Sequence, residues 1–415
     1  MATTVVKTIG STGTFSTLQL WEDGAPVNLV TAEKSAAGTF SVAAFTQGES
    51  LTFVGSSATG KFLDTDSTGV GTGSYVVYSL ITGNPAASDV VTGGTSGATC
   101  ILSSSTPMDT GVIWQGQFQM QEFSGATVLL TITGSTTSST AYKELTTVAG
   151  ASFRDDASVQ TNAMRYNSAN GCGIINTGDS NNTVTSQENN SRVSNLQIAN
   201  TFANGIAFRG SGSGQIFDNL LIEGARTSSS TSIATISIVA NNILRNSLIV
   251  QRGTGATQII STGTGSPFLY NCTIVAPDDL ATAPTSIFNS GASGTVTVQN
   301  CGLFAGDSTK AIVAGSATFN FTTCYSDISG TSGVTQTIYS GEFQNVNNAT
   351  RDYRLVTGAA QKDTGTTDAI NAANDIAGTA RPSGAAYDVG CWEFVAAGGG
   401  ISIPVLMAQY RNRWS

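Results

Sequence analysis

The sequence predicts an all-β chain built as a right-handed parallel β-helix, a solenoid with rungs of about 25 residues. Three observations predict this fold class. The composition is rich in Gly, Ser, Thr and Asn and poor in charged residues; a short apolar motif with a central polar residue recurs along the middle of the chain; and helix-period apolar patterns are missing between its copies. Thr and Val favour pleated strands, whereas Gly and Asn favour the tight turns between them.

Low charge and the lack of histidine exclude several functional classes. Only 11% of the 415 residues are charged, the net charge is −9, and the chain contains no His. A nucleic-acid surface needs clustered Lys and Arg, and a Ser-His-Asp or Cys-His nucleophile needs histidine. The six cysteines form no CxxC pair. We therefore expect no metal, no cofactor and no nucleic-acid partner.

The recurring motif defines the repeat. It occurs as ILRNSLIV over 243–250 and as FLYNCTIV over 268–275, and its polar anchors are spaced 24, 27, 25, 29 and 23 residues apart. The anchors are Asn195, Asn219, Asn246, Asn271, Asn300 and Thr323. A second apolar strand follows each of the first five anchors, as expected for rungs with two or three short strands. The stretch 150–350 is long enough for about eight such rungs.

The anchors are expected to form a structural ladder at one corner of the solenoid. Asn tolerates left-handed backbone geometry, and stacked amides can bond from rung to rung. Cys272, Cys301 and Cys324 directly follow their anchors, where earlier copies have Leu196, Leu220 and Ser247. We expect these side chains to form an inward column. The alternative, a metal or redox ladder of thiols, is disfavoured because the cysteines have no His or basic neighbours.

The predicted order of domains starts with an N-terminal cap element (1–46), in which Ser16 to Trp21 is a candidate helix. A Gly/Ser/Thr-rich β domain is inserted over 47–108, with a strand at 74–81 and two strands around the Gly-rich turn of 89–102. The β-helix shaft follows over 109–350.

Two C-terminal segments complete the predicted organisation. A closing segment covers 351–396, and a Gly linker with a docking tail covers 397–415. The tail is first apolar and then basic and aromatic, and it packs either on its own subunit or on a partner subunit. Its candidate docking residues are Ile401, Ile403, Val405, Leu406, Tyr410, Arg411, Arg413 and Trp414.

The closing segment resembles the end of right-handed parallel β-helix proteins, where a DYRL strand precedes a D-x-x-G-x-x-R-P…D-x-G-x-x-E loop. The stretches KTIGSTGTFSTLQLWED and LTITGSTTSSTAYKELT resemble β-helix proteins of tailed bacteriophage virions, and VVTGGTSGATCIL resembles Gly-rich β modules of phage structural proteins. The resemblance implies that the matching residues close the end of the helix and are not catalytic. They are Asp352, Tyr353, Arg354, Leu355, Asp375, Gly378, Arg381, Pro382, Asp388, Gly390 and Glu393.

The resemblance makes a non-catalytic structural protein of a phage particle the first expectation. It would be a head decoration protein or a fibre-like projection, assembled in the host cytoplasm and exposed on the virion surface. Expected partners are two further copies in a homotrimer, other capsid or tail proteins, and a glycan of the host surface. The sequence shows neither a signal-peptide stretch nor an apolar run long enough for a membrane span, so no membrane partner is expected.

The alternatives are a tailspike that cleaves bacterial surface polysaccharide and a carbohydrate-binding adhesin without catalysis. Glycosidases use two carboxylates about 5–9.5 Å apart. Asp278 and Asp307 are the best pair in the shaft, because each lies seven residues after its anchor. No aromatic platform for sugar accompanies them, since Trp21, Trp114, Trp392 and Trp414 all lie outside the repeat. We therefore favour surface carboxylates over a catalytic pair.

Overall fold

The structure is a computed structural model, and it confirms the predicted class: parallel strands stack into a β-solenoid. It describes residues 3–30, 33–41, 44–46, 48–65, 71–103, 108–178, 182–202, 205–225, 234–254, 258–290, 294–367 and 373–395.

The chain begins with β1 (Thr3–Ile9) and α1 (Leu18–Asp23). Thr17 starts the helix, since its side chain accepts a hydrogen bond of 3.2 Å from the Leu20 amide. Leu18 and Trp21 are buried in the first rung of the shaft. The predicted helix therefore exists, with bounds two residues further along the chain, and it closes the N-terminal mouth of the solenoid.

An antiparallel sheet is inserted between α1 and the shaft. Its strands are β2 (Glu33–Phe40), β3 (Ser50–Val54), β4 (Thr59–Thr65), β5 (Gly71–Thr82), β6 (Val90–Gly93), β7 (Thr99–Leu102) and β8 (Met108–Thr110). They lie in the order β5-β4-β3-β6-β7-β2-β8. The predicted boundaries of 47–108 are therefore too narrow, because β2 lies between β7 and β8 and belongs to this sheet and not to the cap.

A buried carboxylate organises one turn of the inserted sheet. Glu49 accepts hydrogen bonds from the amides of Thr95 and Ser96, both at 2.9 Å, from the Ser96 hydroxyl at 2.7 Å, and from the Thr46 amide at 2.6 Å. Burial opposes the charged form, but these bonds outweigh it and lower the pKa of Glu49 to about 2.

The shaft follows with three short strands per rung. In chain order these are β9 (Val112–Phe118), β10 (Glu122–Gly125), β11 (Leu130–Ile132), β12 (Lys143–Thr147), β13 (Gly173–Asn176), β14 (Val184–Ser186), β15 (Arg192–Ser194), β16 (Gln197–Asn200), β17 (Phe208–Gly210), β18 (Ile216–Asp218), β19 (Leu221–Gly224), β20 (Ile236–Ile238), β21 (Ile243–Arg245), β22 (Leu248–Gln251), β23 (Gln258–Thr262), β24 (Phe268–Tyr270), β25 (Thr273–Val275), β26 (Ser286–Ser290), β27 (Thr295–Gln299), β28 (Gly302–Phe304), β29 (Ala311–Gly315), β30 (Thr318–Thr322), β31 (Cys324–Ser326) and β32 (Val334–Gln336).

These strands form three parallel sheets. Sheet 1 has the order β1-β9-β12-β15-β18-β21-β24-β27-β30, sheet 2 has the order β10-β13-β16-β19-β22-β25-β28-β31-β32, and sheet 3 has the order β11-β14-β17-β20-β23-β26-β29. Sheet 3, with its seven strands, marks the rungs that are complete. Each predicted anchor lies between a strand of sheet 1 and the next strand of sheet 2.

The interior consists of apolar columns that run through the rungs. Strand register stacks Ile174, Ile198, Ile222, Ile249, Ile274 and Leu303 in sheet 2. All six side chains are fully buried in one core that extends along the solenoid. Because a residue in one rung contacts its equivalents above and below, each rung depends on its neighbours for burial.

A second core lies outside the solenoid, on the outer face of sheet 2. There Leu221, Leu248, Val250, Val275 and Phe304 pack against the closing segment and the 153–166 loop. The closing segment contains β34 (Asp352–Leu355), which pairs antiparallel with β33 (Phe343–Asn345), a strand just before the segment in the sequence. From β16 to β28 the strands of sheet 2 are therefore buried on both faces, which explains apolar runs such as LIV at 248–250.

Candidate functional site

The six anchors all adopt left-handed backbone geometry at the corner between sheets 1 and 2. For Asn195, Asn219, Asn246, Asn271, Asn300 and Thr323 the φ angles are 63°, 53°, 45°, 51°, 53° and 51°, respectively. This conformation is sterically costly for most residues and is visited most readily by Gly, Asn and Asp. The recurring Asn is thus explained by the backbone turn that each rung must make.

The anchor side chains are bonded in more than one way. Asn219 donates from Nδ2 to Asn195 Oδ1 at 3.3 Å, which is the predicted amide-to-amide step. Asn246 instead donates to Asp218 Oδ1 at 3.4 Å. Two further anchors bind groups outside the row: Asn195 Oδ1 accepts from Arg154 at 2.9 Å, and Asn300 Oδ1 accepts from the Thr366 amide at 3.0 Å. The 153–166 loop and the closing segment therefore both bind this corner.

The residues after the anchors form an inward column. Leu196, Leu220, Ser247, Cys272, Cys301 and Cys324 are all fully buried. The Cys272 thiol donates to the Tyr270 carbonyl at 3.3 Å, and the Ser247 hydroxyl donates to the Arg245 carbonyl at 2.7 Å. Each side chain thus donates a hydrogen bond to the carbonyl of the residue two positions before it. Burial raises the pKa of the Cys301 thiol well above its usual range. Neutral, bonded thiols are suited to packing and not to redox or metal chemistry.

Asp278 and Asp307 lie at the same corner of adjacent rungs. The Ala276 amide donates to the Phe304 carbonyl at 2.9 Å, which joins the two rungs immediately before the carboxylates. Gly306 packs closely on the preceding rung, the one that contains Asp278. A Cβ atom added to Gly306 would lie 3.2 Å from the Asp278 Cα. The backbone segments that carry the predicted pair are therefore adjacent along the solenoid axis.

The pKa values of the two carboxyl groups are shifted in opposite directions. Asp278 is largely exposed, but local desolvation, with Asp279 beside it, raises its pKa. Hydrogen bonds from Thr309, helped by Lys310, lower the pKa of Asp307. Asp307 Oδ1 accepts from the Thr309 hydroxyl at 2.7 Å and its Oδ2 lies 3.4 Å from the Lys310 ammonium.

Other shaft carboxylates contact donors of the protein itself. Asp218 pairs with Arg245 at 2.9 Å, and Asp327 accepts from the Ala305 amide at 3.1 Å. Asp279 accepts from the Asn348 amide at 2.8 Å. Asp179, a further acidic residue of the shaft, lies outside the described residues. These bonds give the carboxylates structural roles.

The closing segment does not cover the end of the helix, as the resemblance implied, but lies along its side. Tyr339 stacks on Phe304 with ring centroids 4.8 Å apart, and its hydroxyl donates to the Ala276 carbonyl at 2.7 Å. The Cys391 amide donates to Thr273 Oγ1 at 3.0 Å. These contacts span successive strands of sheet 2, because its apolar outer face requires a cover.

The motif residues hold the closing segment in shape. Arg381 donates to Glu393 at 2.9 Å, to the Asp388 carbonyl at 3.0 Å and to the Gly390 carbonyl at 2.7 Å, and a cis peptide bond joins it to Pro382. Asp375 Oδ1 accepts from the Thr379 amide at 2.7 Å. Asp352 and Arg354 form an ion pair at 2.5 Å, and Asp352 Oδ1 also accepts a hydrogen bond from the Met164 amide at 3.0 Å. Every one of these groups serves the fold.

One buried ion pair was not predicted from the sequence. Glu223, which is 2% exposed, projects from the outer face of sheet 2 and pairs with Arg351. Arg252 lies 3.4 Å from the same carboxylate, and the Tyr166 amide donates to it at 2.9 Å. Glu223 thus joins the shaft, the 153–166 loop and the closing segment. The only sequence signal is an acidic residue in an otherwise apolar strand.

A second unpredicted cluster fixes the N-terminal cap. Lys143 is 1% exposed, and its ammonium lies 2.5 Å from Glu22 on α1 and 3.0 Å from Glu188. It also donates to the Thr133 carbonyl at 2.7 Å. Burial raises the pKa of Glu188 in spite of the neighbouring lysine. The cluster ties α1 to two rungs of the shaft.

In the described part of the chain, the tryptophans and the metal-ligating side chains form no further candidate site. Trp21, Trp114 and Trp392 are 0%, 8% and 4% exposed, so their rings are covered by protein. Among the described residues, no group of three His, Cys, Asp or Glu side chains could hold a metal ion. No helix in the same part of the chain is long and apolar enough to cross a membrane.

The predicted docking tail lies outside the described residues. This concerns Ile401, Ile403, Val405, Leu406, Tyr410, Arg411, Arg413 and Trp414. In comparisons with protein-family models, curated proteins and solved structures, no match to the chain was found.

Proposed function

We propose that the chain is a non-catalytic structural protein on the surface of a tailed bacteriophage particle, as a head decoration protein or a fibre-like projection. The phage setting rests on the resemblance of its terminal and shaft motifs to phage β-helix proteins. The structural role rests on the use that the fold makes of its charged groups.

The observation that carries the proposal is that ionisable side chains of the shaft bond mainly within the protein. Glu223, Asp218 and Asp327 contact arginine or backbone donors, and the motif acids of the closing segment do the same. The three described tryptophans, whose rings are the largest that could stack on sugar, are buried. Such an arrangement stabilises a shaft and leaves little chemistry at its surface.

The geometry also suits a spacer. Sheet 1 has nine strands, and a spacing of about 4.8 Å between strands gives it a length of about 38 Å. Interior columns join each rung to the next, and the closing segment joins several rungs from outside. A shaft braced in both ways resists bending and local opening.

Trimer formation is part of the proposal. The outer face of sheet 1 has a half-buried apolar row formed by Ile216, Ile243 and Phe268 on adjacent strands. Three such faces brought together around an axis would remove this row from water. Light scattering of the purified chain is expected to give three times the monomer mass, and a monomer mass at all concentrations would remove the trimer from the proposal.

One observation favours a second candidate, a polysaccharide depolymerase. Asp278 and Asp307 lie on adjacent rungs, and their pKa values move in opposite directions. A glycosidase needs one carboxyl group that holds its proton and one that is ionised. In that case Asp278 would be the acid and Asp307 the base or nucleophile. Against this, Asp307 is already bonded to Thr309 and Lys310.

Reducing ends released from bacterial surface polysaccharide separate the two candidates. The purified chain is incubated with capsular and lipopolysaccharide preparations, beside Asp278→Asn, Asp307→Asn and the control Asp23→Asn at the other end of the molecule. The structural proposal expects no sugar release from any of them. Release that both shaft variants abolish and the control retains would establish the depolymerase and overturn the structural proposal.

Electron microscopy of phage particles labelled with an antibody to the chain tests its location. Label over the capsid or along a projection is the expected result. Label confined to the tail tip would favour the depolymerase, and particles without label would contradict a virion protein of either kind.

A further inference from the structure

The C-terminal mouth of the solenoid contains an apolar groove. It lies between β29, β30 and the loop after β31, has a volume of about 470 Å³, and is lined by Ile312, Val313, Phe319, Phe321 and Ile328 among others. Phe319 and Phe321 stack with centroids 5.6 Å apart, and Phe319 also contacts Phe288 at 5.1 Å. The groove is thus a continuation of the solenoid core.

Its side chains are more exposed than their equivalents one rung earlier. Phe319 and Phe321 pair in register with Val296 and Val298, which are 1% and 0% exposed, yet both phenylalanines are only half-buried. Val313 likewise follows the fully buried Phe288. The difference arises because, in the described part of the chain, only β32 and the loop before it cover the last rung, and they cover it in part. One more layer would complete the burial.

The N-terminal mouth shows how such a layer is supplied. There α1 inserts Leu18 and Trp21 into the first rung, and Trp21 is fully buried. Since this mouth is already filled, a second copy stacked head to tail could not offer a bare rung to the open C-terminal groove.

The last described residues lie on the outer face of sheet 2, within about two rungs of the open end, because the Cys391 amide donates to Thr273 of β25. The Gly390 amide donates to the Asn300 carbonyl at 2.8 Å, and the Phe394 ring lies under the Lys362 ammonium at 4.8 Å. Asn300 is only one rung from β30. Residues 396–400 span about 17 Å when extended, more than one rung spacing of about 5 Å and the distance of about 10 Å between packed layers.

The sequence beyond this linker matches the groove. In an extended conformation Ile401, Ile403 and Val405 lie on one face, followed by Leu406 and Met407. Pro404 has no amide hydrogen to donate, which restricts it to an edge position of a sheet. The open end of a solenoid is such an edge.

We propose that residues 401–407 of the same chain occupy this groove and close the C-terminal mouth of the solenoid, as α1 closes the other. The apolar face of the segment covers Val313, Phe319 and Phe321. Attachment through a short linker favours the chain's own tail over that of another molecule, because it makes the binding intramolecular.

Hydrogen–deuterium exchange of the full chain tests the proposal. The wild type is compared with Ile403→Asp, which places a charge on the apolar face, and with Ser402→Asp, which places the same charge on the opposite face. In Ile403→Asp, amides of 311–322 are expected to exchange at least about tenfold faster than in the wild type. Ser402→Asp is expected to leave their exchange unchanged. Amides of Gln197–Asn200, deep in the shaft, report whether the fold is intact.

Equal exchange of 311–322 in the wild type and in Ile403→Asp, with the shaft intact, would overturn the proposal. Should the shaft amides also exchange faster, the comparison is made with the milder Ile403→Thr under the same criterion. Protection that falls on dilution together with the loss of an oligomer would show that a partner's tail fills the groove, which also contradicts the proposal.

Discussion

Asn246 offers the sharpest test of the corner that every rung shares. It is 1% exposed, its φ angle is 45°, and its side chain makes a long hydrogen bond of 3.4 Å to Asp218. If backbone geometry is the reason for Asn, a residue without a Cβ should be tolerated here and a large side chain should not. We therefore compare Asn246→Gly, Asn246→Ala and Asn246→Leu.

The magnitudes follow from the structure. Gly removes the weak side-chain bond and increases the freedom of the unfolded chain, so we expect a loss of stability of about 1 kcal/mol. Ala adds a left-handed penalty of about 1–2 kcal/mol, partly offset by the lower entropy of its unfolded state, and should fall about 0.5–1 kcal/mol below Gly. Leu adds overpacking of about 1–3 kcal/mol in a filled site and should be the least stable.

Guanidinium-induced unfolding followed by far-ultraviolet circular dichroism measures the three free energies. Asn320→Leu is the matched control, because Asn320 is exposed in the middle of β30, and it should change stability by no more than about 0.5 kcal/mol. If Asn246→Gly is as unstable as Asn246→Leu, the left-handed backbone is not what selects Asn, and the reasoning about the corner fails.

Three further predictions concern the groups that hold the chain together. Glu223→Gln leaves Arg351 charged and buried without its partner, so the free energy of unfolding should fall by about 3 kcal/mol in denaturant titration. The inserted sheet should lose stability in acid: the pKa of Glu49 is about 2 in the fold, below its ordinary 4.5, so its contribution is complete above about pH 4.5 and is lost as pH falls toward 2. The six cysteines are buried, so a thiol reagent should label none of them in the folded protein and all of them in denaturant.

Each of these predictions has a control. Asp307→Asn removes an exposed ion pair with Lys310 and should cost less than about 1 kcal/mol, in contrast to Glu223→Gln. Glu49→Gln should remove the acid-dependent loss measured by thermal unfolding of the inserted sheet, and an unchanged pH profile would contradict the assignment. Rapid labelling of Cys272, Cys301 or Cys324 in the native state would show that the shaft opens locally.

The repeat was predictable because backbone geometry and register act through residue type. A left-handed corner selects Asn, and stacked strands select apolar residues at fixed offsets, so both leave marks at regular spacing. The inserted sheet was harder to delimit, since β2 (EKSAAGTF) is rich in small and charged residues with low strand propensity. It becomes a strand because β7 and β8 pair with it.

Contacts between distant segments could not be deduced from one sequence. Glu223 and Arg351 are separated by 128 residues, and nothing in either neighbourhood specifies the partner. The side-on position of the closing segment had a partial signal. Apolar runs such as LIV at 248–250 and TIV at 273–275 indicate strands buried on both faces, although the pattern does not identify the segment that covers them.

The inserted sheet has a consequence for how this molecule can change. In β2 and β8, Glu33 pairs directly with Thr110, so the chain enters and leaves the insert at one place. Residues Thr3 to Ile9 of β1 pair with β9, which follows the insert in the sequence. The shaft therefore keeps its register whatever sequence lies between β1 and β9. Any domain with neighbouring termini can therefore replace residues 33–110 at this junction. The β-solenoid is thus a constant part and the inserted sheet an exchangeable part. Recombination at this junction would replace the insert and leave the fold of the solenoid unchanged.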